Sequence, residues 1–313
     1  MQLQVTEVNN KYDEIKKSTE LFTEEFKEFK LEYKMRIAQS KYDEASDIMR
    51  EIGRMEENTN CNKGESEKLL KQTRSFNEVK KLLFEAIELN PNFDKAYDKL
   101  ARIFKKEKNL NKAIEYELKA IEINEQESYF SGLAEYYYHN FEYDNAIKYA
   151  KKSLEKQEYS RKKAFLETFI AYIYSLKNNE RETIKYATQA IQKMPENPTV
   201  LSSCGCSYVN IKKFKQGIDL ILKAKKQRIK EYPTDFYNLT EAYIFDKKYD
   251  KALETLKKYI EIQNKNICYG ITINDYYKWS EELNSPEIEQ TKTIEELKNL
   301  IEQLEKKDKE DEI

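Results

Sequence analysis

The chain contains one histidine, His139, and four cysteines, Cys61, Cys204, Cys206 and Cys268. These types do nucleophilic and metal chemistry, but their placement supports neither. A metal site needs clustered His, Cys or carboxylate ligands, and no C-x-x-C occurs. Cys204-Gly205-Cys206 is a C-x-C, and on a helix positions i and i+2 point about 200° apart. No glycine-rich phosphate loop and no Ser/His/Asp constellation is present. Carboxylates are too numerous to single out an acid–base pair. His139 follows Tyr136-Tyr137-Tyr138, a run that reads as one packing aromatic with surface neighbours. The expectation is a non-enzymatic protein with no catalytic residue, no metal and no cofactor.

The composition narrows the class further. Charged residues are 36% of the 313, yet the net charge is −2, so acids and bases are interleaved. Nothing in these totals points to nucleic acid or an anionic membrane as partner, and no nucleic acid is expected. The opening MQLQVTEVNNKYDEIKK has no apolar core of a signal peptide. No apolar run approaches the ~20 residues of a membrane span, so no membrane insertion is expected. Four scattered cysteines are too few for a disulfide scaffold, and a cytoplasmic location is expected. Glycine (6) and proline (5) are scarce, which favours long helices joined by short turns.

Those helices must be built on a repeat. Tyr143-Asp144-Asn145-Ala146 has near-copies at Tyr42-Asp43-Glu44-Ala45 and Tyr249-Asp250-Lys251-Ala252, and a looser one at Leu110-Asn111-Lys112-Ala113. Aligned on the last residue, the register runs Ala45, Val79, Ala113, Ala146, Thr183, Gly217, Ala252, at spacings of 34, 34, 33, 37, 34 and 35. Twelve residues before the last five stand Ala101, Ala134, Ala171, Gly205 and Thr240. Three residues after those stand Phe104, Tyr137, Tyr174, Tyr208 and Tyr243, all aromatic. Small and aromatic positions three, four or seven apart share a helix face. Each unit therefore holds two amphipathic helices whose backbones approach at the small residues. The Tyr-Asp-x-Ala phrase is expected to mark the turn, with its Asp capping the second helix.

This pattern resembles the tetratricopeptide repeat (TPR) closely. Tyr97, Leu100, Ala101, Phe104, Ala113 and Ala120 follow the family pattern, as do Leu201, Cys204, Gly205, Tyr208, Phe214, Gly217 and Ala224. Pro91 and Pro195 stand at the family's unit ends, while Glu117, Thr183 and Thr240 depart from it. The resemblance is specific over about residues 65 to 260. It implies an all-α fold, a right-handed superhelical solenoid of helix-turn-helix repeats. The expected organisation is an N-terminal long helix and degenerate repeat (1–64), a repeat array (65–264), and C-terminal capping helices with a charged tail (265–313). NTNCNKGE (58–65) reads as a loop. Thr293 and Glu296 read as a capping box opening the terminal helix, whose apolar residues are Ile294, Leu297, Ile301 and Leu304. The tail KKDKEDEI is expected to fray. Between residues 5 and 39, Val8, Tyr12, Ile15, Phe22, Phe26, Phe29 and Tyr33 form a heptad-like stripe broken by Thr19. Either the chain's own first repeats cover it or it pairs with a second copy.

Carried over position by position, the resemblance implies a concave groove lined by the first helix of each unit. It would be basic at one end, with Lys95, Lys99, Arg102 and Lys106. Tyr138, Tyr172, Tyr237 and Asn238 continue it, with Thr168, Phe169, Ser202, Ser203 and Cys206 between them. The carboxylate clamp of chaperone adaptors in this family is absent, since its positions read Asp98, Arg102, Gly132, Phe165 and Phe169. The favoured function is a protein-binding scaffold or adaptor that takes a peptide or protein partner in this groove, an acidic one by the lysine run. The rivals are a regulatory sensor of a small signalling peptide and a self-assembling structural subunit. Residues 1–60 lack the short helices and basic recognition helix of a DNA reader.

Overall fold

Few residues in this chain break a helix. In the computed structural model fourteen α-helices and no strand run through the described residues. The structure describes the backbone of residues 2–57, 65–265 and 273–311, and the side chains of 14–54, 75–262 and 278–306. Residues 58–64 of the loop reading, and the side chains of Val8 and Tyr12, lie outside these. Contacts divide the chain into two units, Met1–Tyr129 and Phe130–Ile313.

In the first unit α1 (Gln2–Glu57) packs on α2 (Glu65–Leu89), and α3 (Asp94–Lys106) on α4 (Leu110–Ile123). Ala38, Ala45 and Ile52 are buried on α1, and Val79, Leu83 and Ala86 on α2. Lys41 of α1 pairs with Glu85 of α2. The register positions Ala101, Ala113 and Ala120 are fully buried, and Phe104 stacks on Tyr116 at 5.2 Å. One expectation is overturned here. Tyr42-Asp43-Glu44-Ala45 marks no turn, because it lies in the middle of α1. Ala45 keeps the packing role of the phrase without the hairpin.

The second unit holds α5 (Glu127–His139) from Phe130 onward, then α6 (Tyr143–Lys156), α7 (Ser160–Leu176), α8 (Glu180–Lys193), α9 (Pro198–Asn210), α10 (Phe214–Gln227), α11 (Pro233–Phe245) and α12 (Tyr249–Lys265). Hairpins α7/α8, α9/α10 and α11/α12 pack internally. Gly205 and Gly217 let α9 and α10 approach, since a Cβ on either would lie 2.8–2.9 Å from the other's carbonyl oxygen. The α11/α12 core continues through Trp279 and Leu283 of α13 (Ile273–Leu283) and Ile294, Leu297 and Ile301 of α14 (Lys292–Asp311). The expected terminal helix therefore covers an apolar face, as solenoid ends require. Its start differs from the reading. Thr291 accepts from the Ile294 N–H at 3.4 Å, whereas Thr293 lies in the first turn and donates to Asp250 at 3.0 Å. The helix also runs on through most of the charged tail, to Asp311.

The turns are uniform, and they are not closed by the phrase. Lys108, Phe141, Asn178, Lys212 and Lys247 all have φ between 53° and 62°. Each lies two residues before the second helix of its hairpin begins. The next residue's N–H donates back to the carbonyl of the repeat aromatic: Asn109 to Phe104, Glu142 to Tyr137, Asn179 to Tyr174, Lys213 to Tyr208 and Lys248 to Tyr243, at 2.8–3.0 Å. This six-to-one bond with a left-handed residue inside it is a Schellman C-cap. The expected Asp cap is replaced. Asn109 and Asn179 cap α4 and α8, while Asp144 sits within the first turn of α6 and pairs with Lys177. A carboxylate there still favours the helix dipole.

Candidate functional site

Three first helices of the second unit, α7, α9 and α11, line a cavity of about 480 Å³. Inner positions spaced three, four or seven apart on each helix supply its walls. From α7 come Phe165, Thr168, Phe169 and Tyr172; from α9, Thr199, Ser202, Ser203 and Cys206; from α11, Thr234 and Asn238. The segment that enters α11 adds Arg228 and Tyr232.

The floor is an ordered polar network. Asp235 is fully buried in the first turn of α11. Arg228 Nε donates to its Oδ2 at 2.7 Å, and Ser202 Oγ donates to its Oδ1 at 2.8 Å. Asn238 Nδ2 donates to Ser202 Oγ at 3.3 Å. The Arg228 guanidinium also lies over the Tyr232 ring, 4.3 Å from its centroid. Burial raises the Asp235 carboxyl above its ordinary value, against the lowering by Ser202 and Arg228. A buried pair held by the Ser202 hydrogen bond, itself braced by Asn238, fixes geometry more than it adds stability.

The wall is aromatic. Tyr138 on α5 packs edge-on to Phe169 at 5.6 Å and to Tyr172 at 6.1 Å. Burial, and next the neighbouring Tyr138, raise the Tyr172 phenol. Burial also holds the Cys206 thiol well above its ordinary value, so it is a poor nucleophile. Cys204 is core, fully buried, and its thiol is pushed up to about 12 by burial. A site with apolar walls, neutral hydroxyls and an internally balanced ion pair suits binding of an uncharged segment. Among the described residues no group of three His, Cys, Asp or Glu is placed to hold a metal.

The sequence-read groove residues separate in the structure. Tyr172 and Asn238 line the cavity, and Tyr138 is not among its lining residues but packs on two of them, Phe169 and Tyr172. Tyr237 faces elsewhere: it stacks on Trp279 at 5.1 Å and joins the C-terminal core. The lysine run lies in the first unit. Lys95 is exposed. Lys99 lies 4.7 Å from the Tyr42 ring centroid, and burial lowers its pKa. Arg102 Nε is 3.0 Å from both Asp98 oxygens, and Lys106 is 5.7 Å from the Phe76 ring centroid. The run is thus interleaved with aromatics and an acid rather than forming a bare basic wall. Glu117, which departs from the repeat pattern, is fully buried beside Asp98 and Arg102, and neither of its carboxyl oxygens has a hydrogen-bond partner. Reading helix positions alone missed Arg228 and Tyr232, because they belong to the connection into α11. Pro233, at the first turn of α11, was the available signal that a helix starts there.

A tetratricopeptide repeat protein from Parabacteroides merdae is similar over 85% of this chain and 99% of its own, at 10% identity and a TM-score of 0.60. PilW, a type IV pilus biogenesis factor, is similar over 75% and 95%, at 12% identity and a TM-score of 0.56. Pseudomonas aeruginosa pilF is similar over 77% and 99%, at 13% identity and a TM-score of 0.51. At such identities the likeness shows the fold, an all-α repeat solenoid of the tetratricopeptide type. No curated protein matches the sequence. Residues 34–311 match the family described as ChAPs (Chs5p-Arf1p-binding proteins), and with most of its length matched the chain belongs to that family.

Proposed function

We propose that this protein is an adaptor that binds a protein partner, and that the cavity between α7, α9 and α11 receives a peptide segment of that partner. The cavity carries the reading. Its 480 Å³ lies within the ~300–1,000 Å³ range of ligand sites. It pairs apolar walls with the hydroxyls of Thr199, Ser203 and Thr234, which suit a side-chain anchor and the peptide groups beside it. The family's description names Chs5p and Arf1p as what its members bind, and these are the partners we propose to test. An acidic partner drawn by Lys95, Lys99, Arg102 and Lys106 is a second contact of the same proposal. The cytoplasm is the compartment proposed for this binding.

The test is surface-binding kinetics of the purified chain against Chs5p and Arf1p. Tyr172→Ala should speed dissociation about 10- to 100-fold, since buried tyrosines are frequent hot spots. Ser203→Tyr, which fills the cavity instead of emptying it, should have the same effect. Lys99→Glu with Arg102→Glu should slow association and flatten its salt dependence. Wild-type kinetics in both cavity variants would remove the cavity as the binding site.

A further inference from the structure

The N-terminal half of α1 carries an apolar stripe that its own unit leaves bare. Ile15, Phe22, Phe26, Phe29 and Tyr33 are 58–68% exposed. Their spacing alternates four and three across Thr19, the 3.5-residue period that makes two helices supercoil. The part of α1 that packs on α2 uses a different face. Phe29 and Ala38 are nine residues apart, about 180° around a helix. Because α1 is continuous through this region, the stripe points away from the α2 contact.

We propose that this stripe pairs with the same stripe of a second copy, as a parallel two-stranded coiled coil. The flanking charges select the occupant. One flank carries Lys16 and Lys30, the other Glu25 and Glu32, all exposed. In a parallel pair opposite flanks face each other, so Glu25 of each copy meets Lys30 of the other, twice by symmetry. In an antiparallel pair like flanks meet, lysine to lysine and glutamate to glutamate. A membrane surface fits less well, because the rest of this helix surface interleaves Lys17, Lys27 and Lys34 with Glu20, Glu24 and Glu28 around the exposed Leu21, Leu31 and Met35. Aromatic side chains bury ~150–250 Å² each, so the four aromatic positions, more than half exposed in each of two copies, bring roughly 1,000 Å² of covered surface to a pair. That reaches the size of a specific interface.

The experiment is sedimentation of the full chain over a wide concentration range. Wild type should pass from monomer to dimer. Lys30→Glu and Glu25→Lys alone should each move the transition up by about tenfold in concentration or more, and mixing the two variants should restore it. Phe26→Glu should abolish the dimer while circular dichroism stays that of a folded repeat protein. With Cys61 and Cys268 replaced by serine, a Thr19→Cys chain should cross-link to its copy under mild oxidation, as a parallel in-register pair allows and an antiparallel pairing of the same stripe does not. A wild type that stays monomeric throughout overturns the proposal, as does a dimer indifferent to the charge swaps and Phe26→Glu. A monomer that instead floats with anionic vesicles, or holds Chs5p through this stripe, overturns it as well.

Discussion

Glu117 shows how one side chain sets a property of its surroundings. It occupies a core position with no exposed surface, and neither carboxyl oxygen has a hydrogen-bond partner. Burial, aided by the nearby Asp98, pushes its pKa up to about 9. The folded chain then keeps this proton at pH values where the unfolded chain has lost it. Its contribution to stability is fully present below about pH 4.5 and is lost as pH rises toward about 9, at about 1.4 kcal/mol per pH unit. Urea midpoints of the wild type at pH 5, 7 and 9 should therefore fall more steeply than those of Glu117→Leu, which should also be the more stable protein at pH 7, by about 3 kcal/mol or more. Parallel slopes for the two proteins would show that Glu117 is not held neutral. The residue type was visible as a departure from the repeat pattern. Its burial was not, because only the packing of α3 and α4 determines how far a carboxylate lies from water.

The five described turns of the α3/α4, α5/α6, α7/α8, α9/α10 and α11/α12 hairpins share one conformation. All five are closed by a residue in the left-handed region, and none of these is glycine. A non-glycine residue there costs ~1–2 kcal/mol, whereas glycine gives back ~0.5–1 kcal/mol in backbone entropy. Lys108→Gly and Lys247→Gly, both at exposed positions, should each raise stability by about 0.5–1 kcal/mol in chemical denaturation. Asn178→Gly should change little, because asparagine already tolerates this conformation. Equal effects at Lys108 and Asn178 would count against the turn geometry. Lysine and phenylalanine carry no turn signal, so apart from Asn178 the motif was invisible in the sequence. The neighbouring Tyr-Asp-x-Ala phrase was legible because it opens the next helix, but at Tyr42 it misled, since helical residues precede it where the other copies have a cap.

For the whole molecule, the repeat construction confines damage. Each hairpin of a solenoid is stabilised by itself and its neighbours. Gly205→Ala places a methyl within 2.9 Å of the Gly217 carbonyl and 2.6 Å of Ile221 Cγ1. Backbone cannot rotate out of the way, so the substitution should cost about 1–3 kcal/mol. Hydrogen exchange should speed in α9 and α10 and leave α1 to α4 at their wild-type rates. Uniform speeding throughout would mean that the chain unfolds as one cooperative body. By itself the sequence determined the helical class, the repeat period and the buried small and aromatic positions, because helix pairing of this kind is dictated by local periodicity. It also marked the α1 stripe as apolar. Only the tertiary structure decided which inner residues converge. Tyr172 and Asn238 share a cavity with Arg228 and Tyr232, while Tyr237, one residue from Asn238, turns about 100° around α11 to stack on Trp279. Neighbouring positions on a helix are told apart by what packs against each face, and that depends on helices far away in the chain.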